Sequence, residues 1–98
     1  MSTYEQLLAE CQHFARAARD VEEVTQWLDN PLDVDFVCDA YREYRAGRLY
    51  LALGGPTIYV DTRTETVEGR WWSDSVSVPC DTDMVDNELR ARWEEYFV

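Results

Sequence analysis

Near Gly47 the hydrophobic spacing of this chain changes from steps of three and four to steps of two, and after Pro79 it changes back. A helix repeats every ~3.6 residues and a strand every two. Both periods in separate blocks restrict the chain to an α+β arrangement, with helices laid against a sheet. Its 98 residues fit one domain with one modest core, which four Trp, six Tyr and three Phe can fill.

The first helix is expected from Ser2 to Arg19. Tyr4, Leu7, Leu8, Cys11, Phe14 and Ala18 make its apolar stripe. Ser2 or Thr3 caps it, and Glu5 stands three residues after Ser2. Asp20 opens a shorter helix with Val21, Val24, Trp27 and Leu28 inward, and no Gly or Pro prevents it from merging with the first. Asn30-Pro31 reads as a cap and first turn. Leu32, Phe36, Val37, Ala40, Tyr41 and Tyr44 then predict a third helix. Gly47 would end it in a left-handed conformation, with Arg42, Arg45 and Arg48 in its last turn.

Leu49, Leu51 and Leu53 alternate with Tyr50 and Ala52, which predicts a strand. Gly54-Gly55-Pro56 is a turn, Thr57 to Val60 a second strand, and Asp61 to Thr64 a polar turn. Thr66 to Trp72 reads as a third strand and Ser75 to Val78 as a short fourth, with Pro79 suited to an edge. Asp81 or Thr82 caps a last helix that carries Val85, Leu89, Trp93, Tyr96 and Phe97. The expectation is a single domain: N-terminal helices, a three- to four-stranded antiparallel meander, and a C-terminal helix.

Charge narrows the function classes. Twenty acids face nine Arg and no Lys, a net charge of −11. Such a surface repels nucleic-acid phosphates and anionic membranes and favours basic protein surfaces. No apolar run approaches the ~20 residues of a membrane helix. The N-terminal residues lack the basic and apolar regions of a secretory leader, and three cysteines do not make a secreted disulfide framework. The expected compartment is the cytosol.

Catalytic signatures are lacking. His13 is the sole His, with no nucleophile motif beside it. Cys80 precedes a helix start, a setting that can lower a thiol pKa, but no partner is evident. Cys11 and Cys38 read as small core residues. The acids from Asp81 to Asp86 lack the Gly and Glu of a calcium loop, and no Cys or His pair has zinc spacing. Gly54-Gly55-Pro56 is no phosphate loop, because neither Lys nor a helix start follows it. The chain reads as a binding protein, neither an enzyme nor a cofactor carrier.

Two surfaces are candidates. If helices cover the Val67 and Trp71 face of the sheet, strand alternation puts Tyr50, Tyr59, Glu68, Arg70 and Trp72 on the other face. That composition suits a protein-binding or self-association patch, and so an adaptor or a homodimer. The second candidate is the acidic surplus. Residues 1–30 carry a net −4, residues 31–72 a net −2 and residues 73–98 a net −5. Carboxylates on exposed helix sides can imitate a phosphate track. The expected contacts are Asp81, Asp83, Asp86, Glu88, Glu94 and Glu95, with Glu22 and Glu23 from the N-terminal end. Tyr59 and Trp72 would add an apolar anchor.

The stretch from Leu51 through Gly54-Gly55-Pro56 to Thr62, followed by Val67-Glu68-Gly69-Arg70-Trp71-Trp72-Ser73-Asp74, resembles small acidic proteins of phages, plasmids and conjugative elements of gut bacteria. The resemblance spans roughly the C-terminal half and brings no catalytic residues. Such elements carry anti-CRISPR and antirestriction inhibitors. The resemblance therefore implies an inhibitor of a host nucleic-acid-processing machine, acting in the bacterial cytosol on a basic groove.

Overall fold

The computed structural model describes residues 2–97. The order is α1 (Thr3–Ala17), α2 (Val21–Asp29), β1 (Asp33–Cys38), β2 (Tyr44–Ala52), β3 (Thr57–Asp61), β4 (Thr66–Trp71), β5 (Asp74–Pro79) and α3 (Asp83–Phe97). The strands form one antiparallel meander in the order β1-β2-β3-β4-β5. This is an α+β fold with two N-terminal helices, a five-stranded sheet and a C-terminal helix.

The N-terminal helices start where their caps place them. Ser2 Oγ accepts from the Glu5 N–H at 3.1 Å, and Asp20 Oδ1 accepts from the Glu22 N–H at 2.9 Å. Leu7 and Cys11 of α1 lie fully buried where that helix crosses β4 and β5. Val85, Leu89 and Trp93 bury the inner line of α3, which packs over β2. Two glycines permit this closeness. A Cβ at Gly69 would stand 2.5 Å from Cys11 Sγ, and one at Gly47 would stand 2.7 Å from Leu89 Cδ1. Burial of Leu49, Ile58, Val60, Val67 and Val76 beneath these helices closes the core.

The expected third helix is absent, and its residues form β1, a turn and the start of β2. Leu32, Phe36, Ala40 and Tyr44 fall four apart, which imitates a helix. A period of two runs through the same residues. Asp33 and Asp35 are exposed while Val34 and Phe36 are half-buried. Asp39 decides between the two. Its Oδ1 accepts from the N–H groups of Tyr41 (2.8 Å) and Glu43 (3.0 Å), and its Oδ2 binds Arg45 at 2.7 Å. An Asp that satisfies backbone donors ahead of it makes a turn, and Arg42 within that turn has φ 62°. Gly47 therefore ends no helix. It is a strand residue paired with Phe36 under α3. Cys38, expected in the core, is exposed at the end of β1.

Candidate protein-binding surface

The helices all lie on one side of the sheet, so the molecule has two unlike faces. Residues 2–29 and 81–97, the helical layer with its caps, hold twelve acids and four Arg, a net −8. Residues 30–80 hold eight acids and five Arg, a net −3. Among the described residues three acids form ion pairs: Asp39 with Arg45, Asp61 with Arg48, and Asp86 with Arg90. Only the last pair belongs to the helical layer.

The proposed contact residues divide by the work they already do. Asp81 Oδ1 accepts from the Asp83 N–H at 3.1 Å and braces the start of α3. Asp86 accepts from the Tyr44 hydroxyl at 2.7 Å, and Arg90 lies 4.8 Å over the Tyr44 ring. Burial, then the bond to Asp86, pushes the Tyr44 hydroxyl well above its ordinary value. Asp81 and Asp86 thus fasten α3 to itself and to β2. Asp83, Glu88, Glu94 and Glu95 are exposed and make no ion pair among the described residues. At about 100° per residue, Glu88 and Glu95 flank the buried line of α3 on one side, and Asp83 and Glu94 on the other. Glu22 is exposed and Glu23 half-buried in the first turn of α2, where the helix dipole favours them.

Tyr59 and Trp72 do not join these acids. Tyr59 lies on the sheet face away from the helices, paired with Tyr50 and Glu68. It is only 8% exposed. Arg48 lies 4.9 Å over its ring and the Tyr50 ring stands 5.2 Å away. Their polar ends are satisfied in turn. Arg48 Nε donates to Asp61 Oδ2 at 3.0 Å, the Tyr50 hydroxyl donates to Asp35 at 2.9 Å, and Ser77 donates to Glu68. The sheet face is thus a self-contained polar network, and Tyr59 cannot serve as an exposed anchor. Trp72 leaves the strand. It sits in the β4–β5 turn at φ 56° and is 88% exposed.

Sequence reasoning missed one concavity. A cleft of about 390 Å³ lies between the β1–β2 turn and the end of α3. Tyr41, Tyr44, Trp93 and Phe97 line it, with Glu43 and Glu94 at the same walls. The spacing of Trp93 and Phe97 is visible in the sequence, but the helical spacing of residues 32–44 predicts a helix for their partner Tyr41, not a turn.

Cys80 and Cys11 have no nucleophilic setting. Burial, then Asp81, raises Cys80 to about 11, the reverse of what its place before a helix suggested. Burial, then Glu10 and Glu68, raises Cys11 to about 11. A thiol reagent at pH 7.5 should modify exposed Cys38 ahead of half-buried Cys80, and fully buried Cys11 only after unfolding. Raised thiols hold their protons longer in the folded state. Stability should fall as the pH climbs from the ordinary value of 9.0 toward about 11.

Among the described residues, no three of His, Cys, Asp and Glu gather as a metal ion would require. Among the same residues, no helix is long and apolar enough to cross a membrane. The chain matches no family model, no curated protein and no solved structure.

Proposed function

We propose that the protein is an acidic inhibitor that lays its helical layer on the basic groove of a nucleic-acid-processing defence complex, in place of DNA or RNA. A CRISPR effector or a restriction enzyme of a bacterial host cytosol has such a groove. The supporting observation is that most of the net charge sits on one layer and is left unpaired by Arg. Exposed carboxylates without local partners project their field about 10 Å into ~0.1 M salt. They steer a cationic partner and repel a nucleic acid.

The alternative is an adaptor or self-associating domain that works through the sheet face. Trp72 alone favours it, as a large aromatic side chain held out in a turn conformation unfavourable to non-glycine residues. Tyr50 and Tyr59 count against it, because the face around them is already internally paired.

Competition tests the proposal. With a purified effector and a labelled duplex, the protein should displace the duplex in proportion to its occupancy. A ternary complex of effector, duplex and inhibitor would rule out occupation of the groove.

A further inference from the structure

The cleft at the end of α3 joins aromatic walls to unpaired carboxylates. Tyr41, Trp93 and Phe97 supply ring surface, and Glu43 and Glu94 supply charge without any ion pair among the described residues. We infer that this cleft takes one cationic side chain, an arginine or lysine, from the partner protein. The inference rests on the inhibitor reading and names the point of the partner that the acidic layer would anchor.

The chemistry is that of a cation over ring faces, whose negative quadrupoles attract positive charge. The molecule already uses it twice internally. Arg48 stands 4.9 Å over Tyr59, and Arg90 stands 4.8 Å over Tyr44. Tyr44 therefore has one face taken by a cation, and among the described residues no cation lies over Tyr41, Trp93 or Phe97. Arg42 also lines the cleft, yet it forms no ion pair and lies over no ring among the described residues.

The Trp93 and Phe97 walls are held in place before any ligand arrives. The Trp93 indole N–H donates to the Arg42 carbonyl at 2.9 Å, which ties the end of α3 to the turn. Trp93 stacks with Phe97 at 4.3 Å and with Phe36 at 5.3 Å. Tyr41 is 88% exposed, but the Asp39 carboxylate holds its backbone at 2.8 Å. An aromatic so exposed on a braced turn adds little to folding and presents its ring to a partner. Preorganised walls lower the ordering cost of binding.

The test uses the full chain and two small probes, N-acetylarginine amide and its neutral isostere N-acetylcitrulline amide. The Trp93 indole N–H signal, assigned by NMR, reports the cleft. The arginine probe should move it saturably, and the citrulline probe should bind at least about fivefold more weakly. Tyr41→Ala should weaken the arginine probe about fivefold while leaving the rest of the spectrum in place. Glu94→Gln should weaken it as well, with the aromatic walls intact. Equal response to both probes, or unchanged affinity in both variants, overturns the cleft. Probe signals confined to the α3 carboxylates would also overturn it while sparing the acidic-layer reading. Failure to displace the duplex, with a saturable Trp93 response, would do the reverse.

Discussion

Gly69→Ala should destabilise the protein by about 1–3 kcal/mol, a large share of the stability of a domain this small. The new Cβ would stand 2.5 Å from Cys11 Sγ and 2.9 Å from Leu7 Cδ1. Both are fully buried, so neither has open space to move into. The strand is fixed as well, because Gly69 pairs with Ile58 on one side and Val76 on the other. Helix α1 must therefore lift from the sheet, and dispersion contacts along the whole helix weaken with it. Cys11→Ala removes the nearest atom. In the double variant the two effects should sum to less than their separate costs. Urea unfolding of the four proteins measures this directly. A Gly69→Ala protein as stable as the parent would mean that α1 does not rest on β4.

Neutralising the unpaired acids of α3 should have the largest effect on binding. The variant combines Asp83→Asn, Glu88→Gln, Glu94→Gln and Glu95→Gln. It removes four negative charges from a net of −11 and changes side-chain shape little. Affinity for a basic groove in low salt should fall about 100-fold, most of it through slower association. Stability should change little, with loss of the favourable Asp83 position in the first turn costing about 0.3–1 kcal/mol. Asp81 and Asp86 stay in place because they support the fold. Substituting Asp86 would release the Tyr44 hydroxyl and loosen α3, which would confound any binding result. If the four-site variant displaces a duplex as well as the parent does, the acids of α3 do not form the contact.

Much of the architecture is legible where short-range signals agree. Ser2 and Asp20 announce α1 and α2, and strand alternation assigns Tyr59 to the face away from Val60 and Val67. Residues 32–47 mislead for a physical reason. Leu32, Phe36, Ala40 and Tyr44 satisfy the helical spacing, while the deciding interaction is one carboxylate, Asp39, serving two backbone donors. Periodicity does not weigh a single turn-forming side chain against a run of apolar residues.

The binding surface is legible in composition but not in role. The sequence marks the C-terminal third as acidic, yet it does not separate Asp86 from Glu88. That distinction depends on Tyr44, which lies 42 residues away along the chain. The sheet aromatics show the same gap. Alternation placed Tyr50 and Tyr59 on the outer face, but their cover by Arg48 and Asp35 needs the register of three strands. The cleft is hidden from the sequence as well, because it exists only once residues 39–43 form a turn beside Trp93.

Salt dependence tests the central claim most directly. The dissociation constant of the protein and a DNA-displaced effector is measured at ~0.1 M and ~1 M NaCl, where the screening length drops from about 10 Å to about 3 Å. Binding through exposed, unpaired carboxylates predicts a loss of at least about tenfold, and a smaller loss in the four-site variant. A constant that holds steady across that range would contradict the account.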